Sequence, residues 1–176
     1  MDYDYTFNII MVGDDAAGKT SLTTRYISGL FLDDHQLKVG ADFYSKITTY
    51  KGRRVKLQLW NFGGEEQFKF LMRKYSEGAD AAIYSYNITI QSSLNQLLEW
   101  VQVIKDLAGD IPVMLVGTGA HLDEERAITK EQGIQAARIH NLSGFIEVSS
   151  KTGKNVDQLF QSIMEILFNR LIIKNN

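Results

Sequence analysis

The chain has 176 residues, 44% of them apolar and 23% charged, with a net charge of −2 and no cysteine. That length and balance fit one globular domain over 1–176, and the missing cysteine excludes disulfides, thiolate metal sites, a cysteine nucleophile and a prenyl anchor. The small negative charge gives no reason to expect nucleic acid. No apolar run approaches the roughly 20 residues of a membrane span, and Met1 to Tyr5 lacks the features of a secretory leader, so a cytoplasmic protein without a direct lipid anchor is expected.

In chain order, residues 7–12 read as a buried strand running into a glycine loop. A helical pattern follows to about Ser28, where Gly29 stops it. Residues 30–40 have no period and read as a loop. Residues 42–50 and 55–60 alternate around Lys51-Gly52, which predicts a hairpin of two antiparallel strands, broken at Asn61-Phe62-Gly63-Gly64. Residues 79–86 form a small-residue strand. Leu94, Leu97, Leu98, Val101 and Ile104 mark one helical face. Residues 112–116 form another apolar strand, ended by Gly117. Residues 129–139 are helical, 144–148 are a last strand, and Val156, Leu159, Phe160, Ile163 and Leu167 line a final helix. Strands alternating with helices predict an α/β fold: a mostly parallel six-stranded sheet, helices on both faces, and one antiparallel edge hairpin.

The densest motif is Gly13-x-x-x-x-Gly18-Lys19-Thr20, after a predicted strand and at the start of a predicted helix. In that setting successive backbone N–H groups of Gly13, Asp15, Ala16, Ala17 and Gly18 point at phosphate oxygens. Lys19 reaches the terminal phosphates and the Thr20 hydroxyl ligates Mg²⁺.

With this motif, Gly40-x-Asp42-Phe43, Lys56-Leu57-Gln58-Leu59-Trp60, Gly63-Gly64-Glu65-Glu66-Gln67-Phe68, Leu115-Val116-Gly117 and Glu147-Val148-Ser149-Ser150-Lys151-Thr152-Gly153 follow in order. The chain resembles the Ras superfamily of small GTPases, and within it the Rab-like proteins, over about residues 6–170. The resemblance implies a P-loop NTPase fold, GTP or GDP with Mg²⁺ as ligands, and a switch whose loops, 31–41 and 61–77, are read by effector or regulatory proteins. It places Gly64 at the terminal phosphate and Phe31, Thr118, His121, Ser149, Ser150 and Lys151 around the base. Trp60 then lies near the edge that the family offers to partners.

Several positions depart from the family's pattern. Lys38 stands where a switch I threonine would ligate Mg²⁺, and Asn61 where an aspartate would hold the metal's water. Glu65 replaces the glutamine that orients the attacking water. As the candidate catalytic residue it brings negative charge to an anionic transition state. Asp15 and His35 also differ. The Lys38 ammonium either stands in for part of the metal's charge, pairs with Glu65 or Asp15, or points into solvent. Asn-Lys-x-Asp is replaced by Thr118-Gly119-Ala120-His121. The lost aspartate would accept two guanine donors, a deficit of roughly 10²–10⁴-fold in affinity. Thr118 is too short to copy an asparagine, and Gly119 lacks the lysine stem.

Two functions remain open on this reading. One is a GTP-binding switch with weakened guanine recognition and slow or absent hydrolysis. The other is a pseudo-GTPase, an interaction module that no longer cycles nucleotide. A P-loop kinase or general ATPase fits less well, because the hairpin and Gly63-Gly64-Glu65-Glu66 follow the small-GTPase plan.

Overall fold

The computed structural model of the protein describes residues 3–31, 41–63 and 69–174. β1 (Tyr5–Gly13) has apolar side chains on both faces, so it must lie inside a sheet. It does: β3 (Arg53–Phe62) and β4 (Ala81–Asn87) flank it, both parallel to it. β2 (Ala41–Tyr50) closes one edge by pairing antiparallel with β3. The hairpin turn uses Lys51 and Gly52, both at positive φ, a two-residue turn whose twist matches the strands it joins. β5 (Val113–Thr118) and β6 (Gly144–Val148) extend the sheet in parallel, giving the order β2-β3-β1-β4-β5-β6.

Among the described residues, five α-helices cover the sheet. α1 (Lys19–Ser28) and α5 (Val156–Lys174) lie on one face, where Phe7, Ile9 and Met11 meet Leu22, Leu159, Phe160 and Ile163. α2 (Lys69–Tyr75), α3 (Leu97–Ala108) and α4 (Lys130–Ile139) serve the other, where Ile10 and Val12 share a core with Met72, Trp100, Ile104 and Ala137. Thr129 starts α4 with a reciprocal cap to Gln132. This is the α/β architecture the alternation predicts.

Four details differ from the sequence reading. β3 does not break at Asn61: Asn61 pairs with Met11 and Asp42, and both Asn61 and Phe62 are buried. β5 continues past Gly117 to Thr118. The face assigned to α3 includes a wrong member: the helix begins only at Leu97, its phase is set by Leu97, Trp100 and Ile104, and Leu98 is 63% exposed. α2 escapes the periodicity because seven residues make only two turns.

The sheet order turns about β1, whose neighbours β3 and β4 lead in opposite directions. The carboxyl ends of β1, β4 and β5 therefore open onto one crevice, the place where open α/β sheets hold ligands.

Candidate functional site

The loop from Gly13 to Thr20 crosses that crevice between β1 and α1. Gly13 has φ +137°, and a Cβ there would come within 2.2 Å of the Ser85 carbonyl oxygen of β4. Any side chain would push β1 and β4 apart, so the sheet itself demands glycine. Gly18, in the left-handed region, turns the chain into α1. Between them, Asp15–Ala17 form a short 3₁₀ turn. Asp14 caps it: its carboxylate accepts from the Ala16 N–H at 3.0 Å, and its carbonyl from the Ala17 N–H at 2.9 Å.

Lys19 is the buried cation of the site, 5% exposed. Its ammonium donates to the carbonyls of Gly13 (2.8 Å) and Asp14 (2.7 Å). Among the described residues, two of its three donors are used in this way. Burial lowers its pKa to about 8, against the opposing pull of Asp15 and Asp14. A cation held under a loop of backbone amides at a strand end can receive phosphate oxygens, and an anion there would restore the charged form.

The loop is held from below by two side chains at neighbouring strand ends. Thr118 and Asn87 are opposite each other in the β4–β5 register. The Asn87 amide donates to the Ala16 carbonyl at 3.2 Å, while its oxygen accepts from the Thr89 N–H and hydroxyl. The Thr118 hydroxyl lies 2.9 Å from the Ala17 carbonyl and 3.0 Å from the Tyr86 carbonyl, and its single proton serves one at a time. Thr118 is shorter than the asparagine of the family pattern. Because β5 runs on to residue 118, a short side chain reaches the loop. Asn87 is missed by the sequence reading, and its one signal is a polar residue closing the apolar run 79–86.

On the opposite side, the Asn61 amide lies 3.2 Å from Thr20 Oγ1, the candidate metal ligand. On the base side, His121 Nδ1 lies 2.9 Å from Ser149 Oγ, and Ser149 Oγ also accepts from the Thr152 N–H at 3.1 Å. The Ala120 N–H donates to the Val148 carbonyl, fixing the loop after β5 to the end of β6. Arg126 reinforces this with a two-pronged ion pair to Glu147, at 2.7 and 2.9 Å. Ser150 is buried beside Ser149, and Lys151 is exposed. Burial and the Lys151 ammonium lower the His121 pKa, opposed by Glu125.

The fold thus brings Gly13, Ala16, Ala17, Gly18, Lys19, Thr20, Asn61 and Thr118 to one crevice, and joins His121 to Ser149. Asp15 sits exposed on the loop. Phe31 is half-buried three residues past α1, and no hydrogen bond or ring contact joins it to the base loops among the described residues. Lys38, His35, Gly64 and Glu65 lie outside the described residues, so the pairings expected of Lys38 do as well.

The family model described as Ras family matches residues 8–169, nearly the whole chain. The chain belongs to the Ras family. Membership implies guanine nucleotide and Mg²⁺ as ligands, and effector or regulatory proteins as partners of a small GTP-binding switch. The Ras-family phosphate loop here fits its ligand in backbone path and in the buried Lys19. The metal fit is narrower. Among the described residues no group of three histidine or carboxylate side chains could hold a metal ion. Thr20 offers one hard oxygen, so Mg²⁺ would need phosphate oxygens and water for its remaining positions. Among the described residues, no helix is long and apolar enough to cross a membrane.

Proposed function

We propose that this Ras-family chain is a Rab-like switch that binds nucleotide chiefly through its phosphates, with weakened guanine recognition and slow or absent hydrolysis. The observation that carries the reading is Lys19, buried beneath the loop and anchored to two of its carbonyls. Its role is to hold the terminal phosphates, with the amides of residues 13–20 and Gly64 around them. Thr20 is the one protein ligand for Mg²⁺. Asn61, with a neutral amide beside Thr20, supports the metal's shell less than a carboxylate would. Glu65 stands nearest the attacking water and disfavours the anionic transition state. The base loops are Thr118 to His121 and Ser149 to Lys151, with Phe31 against the base.

The partner surface is the β2–β3 edge. Phe43 is 46% exposed and packs on Trp60 at 4.6 Å, and Trp60 stacks on Tyr75 of α2 at 4.6 Å. An aromatic strip that runs from an edge strand to the helix within the second switch suits a protein that reads the switch. Together with Gly40-x-Asp42-Phe43 and Lys56 to Trp60, it supports the Rab-like assignment.

Calorimetric titration of nucleotide-stripped protein with GTP, GDP and ATP, with and without Mg²⁺, tests the reading. Weak binding of all three, abolished by Lys19→Ala, is expected. Tight, Mg²⁺-dependent guanine binding that excludes ATP overturns the weakened recognition. Absence of binding to any of them overturns the switch itself.

A further inference from the structure

Ser149 is fully buried, and a buried hydroxyl is as a rule hydrogen-bonded within the protein, so its proton calls for an acceptor there. Its oxygen already accepts from the Thr152 N–H. Among the described residues, the acceptor within reach of the Ser149 proton is His121 Nδ1, at 2.9 Å. Nδ1 therefore carries no proton, and the neutral ring carries its N–H on Nε2. Protonating the ring would leave Nε2 a donor as before and would strand the Ser149 proton. Either way, the nitrogen that His121 has left to offer is a donor. Gly119 and Ala120 bring no side-chain acceptor to the same turn.

We infer that His121, oriented by Ser149, makes the base site select a purine nucleotide whose N1/C2 edge carries a hydrogen-bond acceptor, and disfavour guanine. The inference rests on the proposed reading that residues 118–121 face the base. Guanine presents N1–H and a 2-amino group on that edge, so donor meets donor. Adenine presents N1 as an acceptor, and xanthine presents its C2 oxygen. The shared chemistry is one acceptor opposite Nε2–H. The family aspartate and His121 thus differ in sign and not only in strength. Ser149 acts through His121 as a positioning residue.

The test has two readouts. Long-range ¹H–¹⁵N correlation of the imidazole rings in nucleotide-free protein reads the tautomer directly, with His121→Asn identifying the signal among the three histidines. An unprotonated Nδ1 and a protonated Nε2 are expected, and a neutral ring protonated on Nδ1 instead of Nε2 overturns the inference. Affinities for GDP, XDP and ADP are then compared with inorganic pyrophosphate as the base-free probe. XDP or ADP is expected to bind on the order of 10-fold or more tighter than GDP, and His121→Asp to reverse the order. The better of XDP and ADP identifies which acceptor the site uses. Pyrophosphate binding with no gain from either base, or with GDP favoured, overturns the selection alone. Failure to bind pyrophosphate overturns the phosphate-loop reading beneath it.

Discussion

Asp14 caps the turn of the phosphate loop with a carboxylate that occupies the Ala16 amide. The same amide is among those a phosphate would use, so cap and ligand compete. Asp14→Ala is expected to lower stability by about 1 kcal/mol, the usual value of such a cap. It should also tighten pyrophosphate binding roughly 5-fold, since an amide is freed and a like charge removed. Opposite changes in the denaturation midpoint and in the calorimetric affinity identify the competition; parallel losses would sink it. Lys19 sets a pH dependence at the same scale. Its pKa in the unliganded protein is lowered to about 8, and only the protonated form attracts phosphate. Affinity is expected to hold below that pH and to fall as pH rises through it, by up to tenfold per unit. Pyrophosphate titrations at pH 7 and 9 check the sign. An affinity unchanged over that interval means that the ammonium does not act on the phosphate.

At the scale of elements, the loop depends on the ends of two strands far from it in sequence. Thr118→Val keeps the side chain's size and removes its hydroxyl, leaving the Ala17 and Tyr86 carbonyls without this donor. A loss of about 1–3 kcal/mol in stability is expected, with weaker pyrophosphate binding, while Thr118→Ser stays near the parent. Urea denaturation and calorimetry on the pair separate the hydroxyl from the packing, and equal behaviour of both variants would remove Thr118 from the site. These tethers also mark where sequence reading stops. The phosphate motif is legible because it is contiguous and one strand–helix junction builds it. The strands are legible where alternation or apolar runs are long enough. Asn87 is not, since its bond to Ala16 spans 71 positions and exists only through sheet register. The hydrogen bond from Ser149 to His121 likewise joins two loops 28 positions apart. The motif shows that His121 replaces a carboxylate; which nitrogen carries the proton follows only from what Ser149 has left to donate.

At the scale of the whole molecule, the two cores lie on the faces of the sheet and the crevice lies at its end, so a ligand can add to stability without repacking either core. A ligand bound only to the folded chain stabilises it by about 2.7 kcal/mol at 100 times its Kd. For a chain of this size that is a Tm rise of roughly 5–11 °C. Pyrophosphate at that excess is expected to give such a shift, and Lys19→Ala to abolish it. Mg²⁺ alone is expected to give none, because Thr20 contributes one oxygen and the described residues hold no cluster that could bind a metal ion by itself. Mg²⁺ added with pyrophosphate should raise the Tm further, since each supplies ligands or charge that the other needs. Differential scanning calorimetry over the four combinations decides the order of assembly. A shift from Mg²⁺ alone would place a metal site elsewhere in the chain. A pyrophosphate shift that Mg²⁺ leaves unchanged would mean that Asn61, in place of an aspartate, has removed the metal from the site and left the phosphates to Lys19 and the loop.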